Sequence, residues 1–405
     1  AEAVDAPLPG AIFKIDRRPS GEKVVYARLF AGKLSVRQRV AMRRRTAFGE
    51  TETIEERLTG IDRFGAGTAA RAESAAAGDI VALHGLRSAR IGDRIGDDDD
   101  APDVGRAFPP PALESVVRPV DPGQITRLRE ALEQLAEQDP FIALRQRNEA
   151  GDVSVRLYGD VQKEILEETL ARDFGVAVAF GPSQTICVER LIGVGEHVEV
   201  MSAAGNPFYA TVGLRIEPGP PGSGVRYARE LGSLPLAFYR AIEETVRETL
   251  SQGLHGWEVV DCAIELTQAG FSSPVSTAAD FRKLTPLVLM QALIEAGATV
   301  CEPVEEIELD IPEDTIGSVC GALIQARATI GDARRDGSSQ RIVSRIPTAE
   351  LRRFEQLMPG LTRGEGGWIS RFAGYAPTSG DPPKRARIGP NPLNRDHYLA
   401  ELARS

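Results

Sequence analysis

LESVVRPVDPGQITRLREALEQLAEQDPFIALRQRNEAGDVSVRLYGDVQKEILEETLARDFGVAVAF, residues 113–180, is the stretch whose periodicity decides the fold. Leu113–Val117 is β-branched and short, as a strand requires. Asp121-Pro122 opens a predicted helix with Ile125, Leu128, Leu132 and Leu135 on one face, stopped by Asp139-Pro140. Phe141–Leu144 and Val153–Leu157 are predicted strands around a turn at Gly151. Val161, Ile165, Leu166 and Leu170 mark a second amphipathic helix, and Val176–Phe180 returns as a strand. The predicted order is βαββαβ.

That order is the split, ferredoxin-like motif, and it recurs near the end of the chain. Glu305–Ile311 reads as a strand. Ile316, Val319, Cys320 and Ile324 line a helix whose first turn carries Glu313 and Asp314, the sign that the helix dipole favours there. Two strands follow across Asp336-Gly337, a hairpin signal. Ala349–Leu357 is a second helix closed by Pro359-Gly360, and Trp368–Phe372 is a last strand.

Upstream, Ile12–Ile15, Val24–Phe30, Ser35–Met42, Glu52–Leu58 and Ile80–Leu83 are short β-branched runs between Gly, Pro and charged turns, which predicts a small barrel. Asp97–Asp100 followed by Pro102 reads as a solvated linker, because adjacent like charges repel. A calcium loop would need spaced ligands and a terminal glutamate.

Between the two modules, Val198, Val200 and Tyr209–Leu214 read as strands, followed by the Pro218–Gly224 turn and a helix over Leu236–Leu250. Phe238, Ile242, Val246 and Leu250 share its face. Val260, Cys262, Ile264 and Leu266 alternate inward, with Asp261, Ala263 and Glu265 outward. The strand ends in Gly270-Phe271-Ser272-Ser273-Pro274-Val275-Ser276, which presents a ring, a proline and a valine where solvent selects polar residues. Thr277–Asp280 is a capping box, and Pro286 fits best as the first residue of a helix capped by Thr285. The fold class is therefore multidomain α+β, a β-barrel followed by two ferredoxin-like modules flanking an elongated α+β domain. The expected domains are 1–104, 105–190, 191–300 and 301–405.

Composition bounds the function. The 405 residues carry a net charge of −10, against a protein that coats nucleic acid by neutralising phosphates. Arg37, Arg39, Arg43, Arg44 and Arg45 form a local cluster, read either as a solvated strand face or as an RNA contact. Residues 191–300 hold seven Lys/Arg against twelve Asp/Glu, a poor surface for general RNA binding. Phe271 either stacks on an unpaired base or folds back into the core. Cys187, Cys262, Cys301 and Cys320 are far apart with no CxxC pair, so neither a disulfide framework nor a zinc site is expected, and the cytoplasm is the simplest compartment. No apolar run has membrane-spanning length.

Catalytic signatures are missing. Gly32-Lys33 lacks the first glycine and the hydroxyl of a P-loop. Gly65–Ala70 sits among strands rather than in a βαβ unit, so a turn is favoured over a dinucleotide loop. His84, His197, His255 and His397 are isolated and read as packing or surface residues. Glu243-Glu244 and Glu305-Glu306 point apart and read as solvated. No catalytic residue, metal site or cofactor is assigned to this chain.

The order barrel, split module, central segment, split module resembles the non-GTPase half of elongation factor G-like translational GTPases. PLPGAIFKI (Pro7–Ile15), YARLFAGKLSVRQRV (Tyr26–Val40) and AAAGDIVALHGL (Ala75–Leu86) look like that family's second domain. More narrowly, NPFYATVGLRIEPGPPGSGVRY (Asn206–Tyr227), GLHGWEVVDC (Gly253–Cys262) and SPVSTAADFRKLTP (Ser273–Pro286) resemble tetracycline-resistance ribosomal protection proteins.

The resemblance implies a monomeric, cytoplasmic factor that binds the ribosome at the 16S rRNA decoding centre and neighbouring proteins, not a membrane. Its tip loops would dislodge tetracycline. Carried over by motif, those loops comprise Asn206, Pro207, Phe208, Tyr209, the turn near Leu234, and Phe271, Ser272, Ser273, Pro274 and Val275. The family's tyrosine pair before SPV is Phe271-Ser272 here, which shifts weight to Pro274. Pro390–Ser405, with Tyr398, Leu399 and Leu402 at helical spacing, resembles the family's short terminal helix; a helix covering a sheet face is the other reading. With no P-loop, the chain reads as the C-terminal portion of a larger protein, and GTP and Mg2+ are expected for that parent. Two alternatives stand: an elongation factor G paralogue acting in translocation or another translation step, and a small-ligand-binding regulatory protein.

Overall fold

The computed structural model describes residues 9–18, 21–45, 51–65, 68–96, 111–138, 142–146, 153–229, 232, 234–336 and 339–404. The predicted linker at Asp97–Pro102, the helix stop at Asp139-Pro140, and the turns at Gly151 and Gly337 lie outside them. The chain divides into two compact units, Ala1–Gln184 and Thr185–Ser405.

In the first unit, eight strands form one sheet in the order Thr51–Arg57, Arg39–Arg45, Arg94–Ile95, Gly10–Arg17, Lys23–Leu29, Ile80–His84, Gly60–Gly65, Thr68–Ala72. Ile12, Ile15, Val25, Leu29, Leu34, Ile61 and Leu83 fill its core. The expected barrel is corrected: among the described residues no ladder joins the two edge strands. The edge strand Thr51–Arg57 buries none of its residues and exposes Glu52, Glu55 and Arg57, charges that blunt a free sheet edge. The predicted strand Ser35–Met42 is broken by a turn in which Arg37 adopts φ 70. Gly60–Gly65 and Thr68–Ala72 pair antiparallel, the hairpin that the turn reading favoured.

Two charge readings change here. Arg44 is not a solvated residue: its guanidinium donates to both oxygens of the buried Asp93, at 2.8 and 2.7 Å. His84 is not isolated. It is buried with Nδ1 2.8 Å from Glu22 and Nε2 2.9 Å from Asp62. The His84 ring holds the Glu22 carboxyl below its ordinary range. Burial pushes Asp62 up, but contact with His84 and Arg71 takes it below its ordinary value.

The first split module has the strand order Ala143–Gln146, Val153–Leu157, Leu113–Pro119, Val178–Phe180, all antiparallel. Its helices, Ile125–Gln138 and Asp160–Phe174, pack Leu128, Leu132, Leu166 and Leu170 into one core. Val161 and Ile165 face solvent at 61% and 59% exposure, a correction to the predicted face. Leu166, Leu170 and Phe174, four apart, make the stripe instead.

In the second unit the later module repeats that order: Thr329–Asp336, Ser339–Pro347, Ala298–Pro312, Gly367–Pro377. Leu323, not Ile324, completes the buried stripe of the Ile316–Gln325 helix. Thr348–Leu361 runs through Pro359 rather than ending there. The central sheet has the order Gly195–Glu199, Ala210–Pro218, Cys262–Phe271, Val225–Arg229. Its last two strands are parallel, joined by the predicted Leu236–Leu250 helix as a crossover. Asp261, expected outward, is buried and takes two donors from Arg190.

The Ala278–Ala296 helix covers this sheet without interruption. Pro286 therefore does not start a helix, and Thr285 donates to the Phe281 carbonyl at 2.7 Å from within one. The helix is buried almost all round between Phe281 and Leu293, so packing outweighs the lost amide and ring clash that make an internal proline costly. No helix of the described residues is long and apolar enough to cross a membrane.

Candidate functional site

Two connections leave the same end of the central sheet, because Ala210 stands opposite Phe271 in the last pair of the ladder between their strands. The first, residues 200–209, is organised from within. Asn206 donates through Nδ2 to the carbonyls of Val200 (3.1 Å) and Ala210 (3.0 Å) and accepts from the Phe208 amide at 2.9 Å. An asparagine side chain that bonds its own backbone mimics a turn. Asn206 thus holds the loop from within.

The second connection is a tight turn. The amides of Val275 and Ser276 both donate to the Ser272 carbonyl, at 2.9 and 2.8 Å, around a cis Ser273–Pro274 bond. Ser276 then ties the loops together: its hydroxyl accepts from the Ser272 amide at 2.8 Å and donates to the Tyr209 carbonyl at 2.5 Å. Asp280 adds a second tie. The predicted capping box forms, with Thr277 donating to Asp280 from its amide (2.8 Å) and hydroxyl (2.7 Å), while the other carboxylate oxygen takes the Tyr209 amide at 3.3 Å. Burial alone would raise the Asp280 carboxyl, but these donors hold it below the ordinary range.

Exposure sorts the residues singled out by sequence. Pro207, Tyr209, Ser273, Pro274 and Val275 face solvent, with Tyr209 51% and Val275 46% exposed. Asn206, Phe208 and Ser272 are half-buried. Phe271 is half-buried and turns inward: its ring meets Phe238 edge-on at 5.9 Å, and Phe238 stacks on Phe281 at 4.8 Å. Of the two readings left open for that ring, the core reading holds. Leu234 is buried too, and shares with Phe271 the wall of a cavity of about 540 Å³ under the turn. The exposed aromatic between the loops is Tyr209.

Ser276 and Asp280 are the residues that sequence reasoning left out of the site. The capping box was a readable signal for Asp280; nothing in the local pattern announces the Ser276–Tyr209 link.

In these two loops no exposed residue is an acid or a base, and no cluster of three metal-ligating side chains exists among the described residues. The buried Cys187 and Cys262 thiols are pushed up to about 12 by burial, which makes them inert rather than nucleophilic. Glu243 and Glu244 are each occupied by an arginine, Arg247 and Arg282. What the site offers is a small apolar surface of one ring, two prolines and a valine, held on a doubly tied pair of loops.

Comparison with known proteins places this geometry. Three models match in succession: "Elongation Factor G, domain III" over residues 108–182, "Elongation factor G, domain IV" over 190–297, and "Elongation factor G C-terminus" over 299–386. The loop pair falls in the second. The chain is 46% identical over 98% of its length to the oxytetracycline resistance protein of Streptomyces rimosus, covering 61% of that protein. It is 40% identical over 94% to the tetracycline resistance protein TetM of Streptomyces lividans (58% of that protein) and 37% identical over 98% to TetP of Clostridium perfringens (60%). The chain thus spans about three fifths of the length of these relatives. With elongation factor G models matching in succession from 108 to 386, this chain belongs to the elongation factor G-like family, and it is similar to tetracycline resistance proteins along nearly its whole length.

Proposed function

We propose that residues 1–405 are the ribosome-binding portion of a ribosomal protection protein, and that the paired loops of the central domain press on RNA at the small-subunit decoding centre to dislodge tetracycline. The observation that carries this reading is the exposed apolar surface of Pro207, Tyr209, Pro274 and Val275 on braced loops, in a segment matched by the domain IV model. An exposed ring stacks on an unpaired base for about 1–3 kcal/mol without needing positive charge, which suits an acidic domain. GTP and Mg2+ belong to the full-length protein, whose GTPase step would release it from the ribosome. The protein acts as a cytoplasmic monomer.

Expression of the full-length protein in a tetracycline-sensitive host tests the proposal. Drug tolerance should rise. No rise, with ribosome-stimulated GTPase activity intact, would move the chain to the housekeeping elongation-factor reading.

A further inference from the structure

The 200–209 loop is held from outside as well as from within, by a residue 190 positions further along the chain. Arg395 donates through Nη1 to Glu199 Oε1 at 2.5 Å and through Nη2 to Glu199 Oε2 at 2.8 Å; the same Nη2 donates to the Gly205 carbonyl at 2.7 Å. Glu199 ends the strand before the loop, and Gly205 precedes Asn206. One planar guanidinium therefore closes the span between them. The fork geometry of arginine allows all three bonds at once, and a lysine ammonium does not reproduce it. The loop needs such help: Ser202 stands at φ 65, in the left-handed region that a free non-glycine residue rarely populates.

Arg395 is delivered by a strap. Trp257 Nε1 donates to the Pro383 carbonyl at 2.6 Å, and the Arg385 guanidinium lies 5.2 Å over the Trp257 ring. Gln252 and Ile388 exchange two hydrogen bonds, at 3.0 and 2.7 Å. Leu393 packs on the central core, and Asn394 caps the Arg395–Leu402 helix. From that helix the buried Tyr398 hydroxyl donates to the Lys283 carbonyl at 3.0 Å, on the helix that follows the second loop. The terminal helix thus packs on the central domain, where it holds the supports of both loops.

We propose that the C-terminal segment is a strap that pre-shapes the ribosome-facing loops, and that Arg395 is its positioning residue. A surface ordered before contact loses less conformational entropy on binding than a loose one. The inference rests on the function proposed above for these loops.

The test uses the full-length protein with Arg395→Ala and Arg395→Lys, reading hydrogen exchange across 199–206 and affinity for bacterial ribosomes. Arg395→Ala should speed exchange across 199–206 by about tenfold while leaving the Leu236–Leu250 helix unchanged. Ribosome affinity should fall by about tenfold, and Arg395→Lys, which keeps the charge without the fork, should fall between. Unchanged exchange across 199–206 overturns the clamp. Faster exchange with undiminished affinity overturns its positioning role. If Arg395→Ala does not fold, Arg395→Lys carries both criteria. Failure of the drug-displacing function would show instead as a wild-type protein that binds ribosomes without releasing tetracycline.

Discussion

Asp280→Ala cuts the capping box and one of the two ties between the loops in a single change. The carboxylate accepts the Thr277 amide and hydroxyl at 2.8 and 2.7 Å and the Tyr209 amide at 3.3 Å. Loss of a helix N-terminal cap costs about 1 kcal/mol. The longer Tyr209 bond adds on the order of 0.5 kcal/mol, because its amide can turn to water. A total of about 1.5 kcal/mol lowers Tm by roughly 3–6 °C for a unit of this size. The pH dependence follows from the depressed Asp280 carboxyl. Its stabilisation is present above the unfolded aspartate value of about 3.9 and is lost as pH falls through the lower folded value. The gap between wild type and variant should therefore be full at neutral pH and close on acidification. Thermal melts of this chain at a series of pH values, with exchange of the Tyr209 and Thr277 amides, supply the readout. A Tm shift below about 1 °C at neutral pH, or a gap that survives undiminished at about pH 2, would refute the reasoning.

Three further outcomes follow from exposure and partners. Tyr209→Ala should leave chain stability within about 0.5 kcal/mol yet weaken ribosome binding by about 1–3 kcal/mol, whereas Phe271→Ala should lower stability by roughly 1–3 kcal/mol through its lost edge contact; denaturant titration beside ribosome binding separates them. Pro274→Gly in the full-length protein should reduce drug protection while the melting curve stays cooperative, as scored by growth under drug and by calorimetry. Glu189, fully buried, accepts the amides of Leu254, His255 and Trp257 at 2.7, 2.8 and 3.0 Å, and burial pushes its carboxyl up against those donors. Glu189→Ala leaves three donors without that acceptor and should cost about 3 kcal/mol or more by denaturant midpoint.

What was legible in the sequence follows the range of the interactions involved. The face of the Leu236–Leu250 helix and the Thr277–Asp280 box depend on residues three and four apart, and both form as predicted. Phe271 could not be assigned by alternation, since its direction is set by Phe238 on another element. Asp261 looked outward by parity, but its partner Arg190 lies 71 residues away and makes burial of the charge possible. His84 looked isolated for the same reason, with its carboxylates 62 and 22 positions distant. Pro286 shows the opposite failure, in which a sound local rule yields to a helix buried on nearly every side. In the site itself, sequence located the apolar turn, but not that Tyr209 is its exposed ring or that Ser276 and Arg395 hold the loops.

The most direct test of the central claim is a release measurement on bacterial ribosomes loaded with labelled tetracycline. The full-length protein with GTP should free the drug in multiple turnovers, and the Tyr209→Ala and Pro274→Gly forms should free it more slowly. Drug that stays bound while the wild-type protein binds the ribosome and hydrolyses GTP would contradict the account.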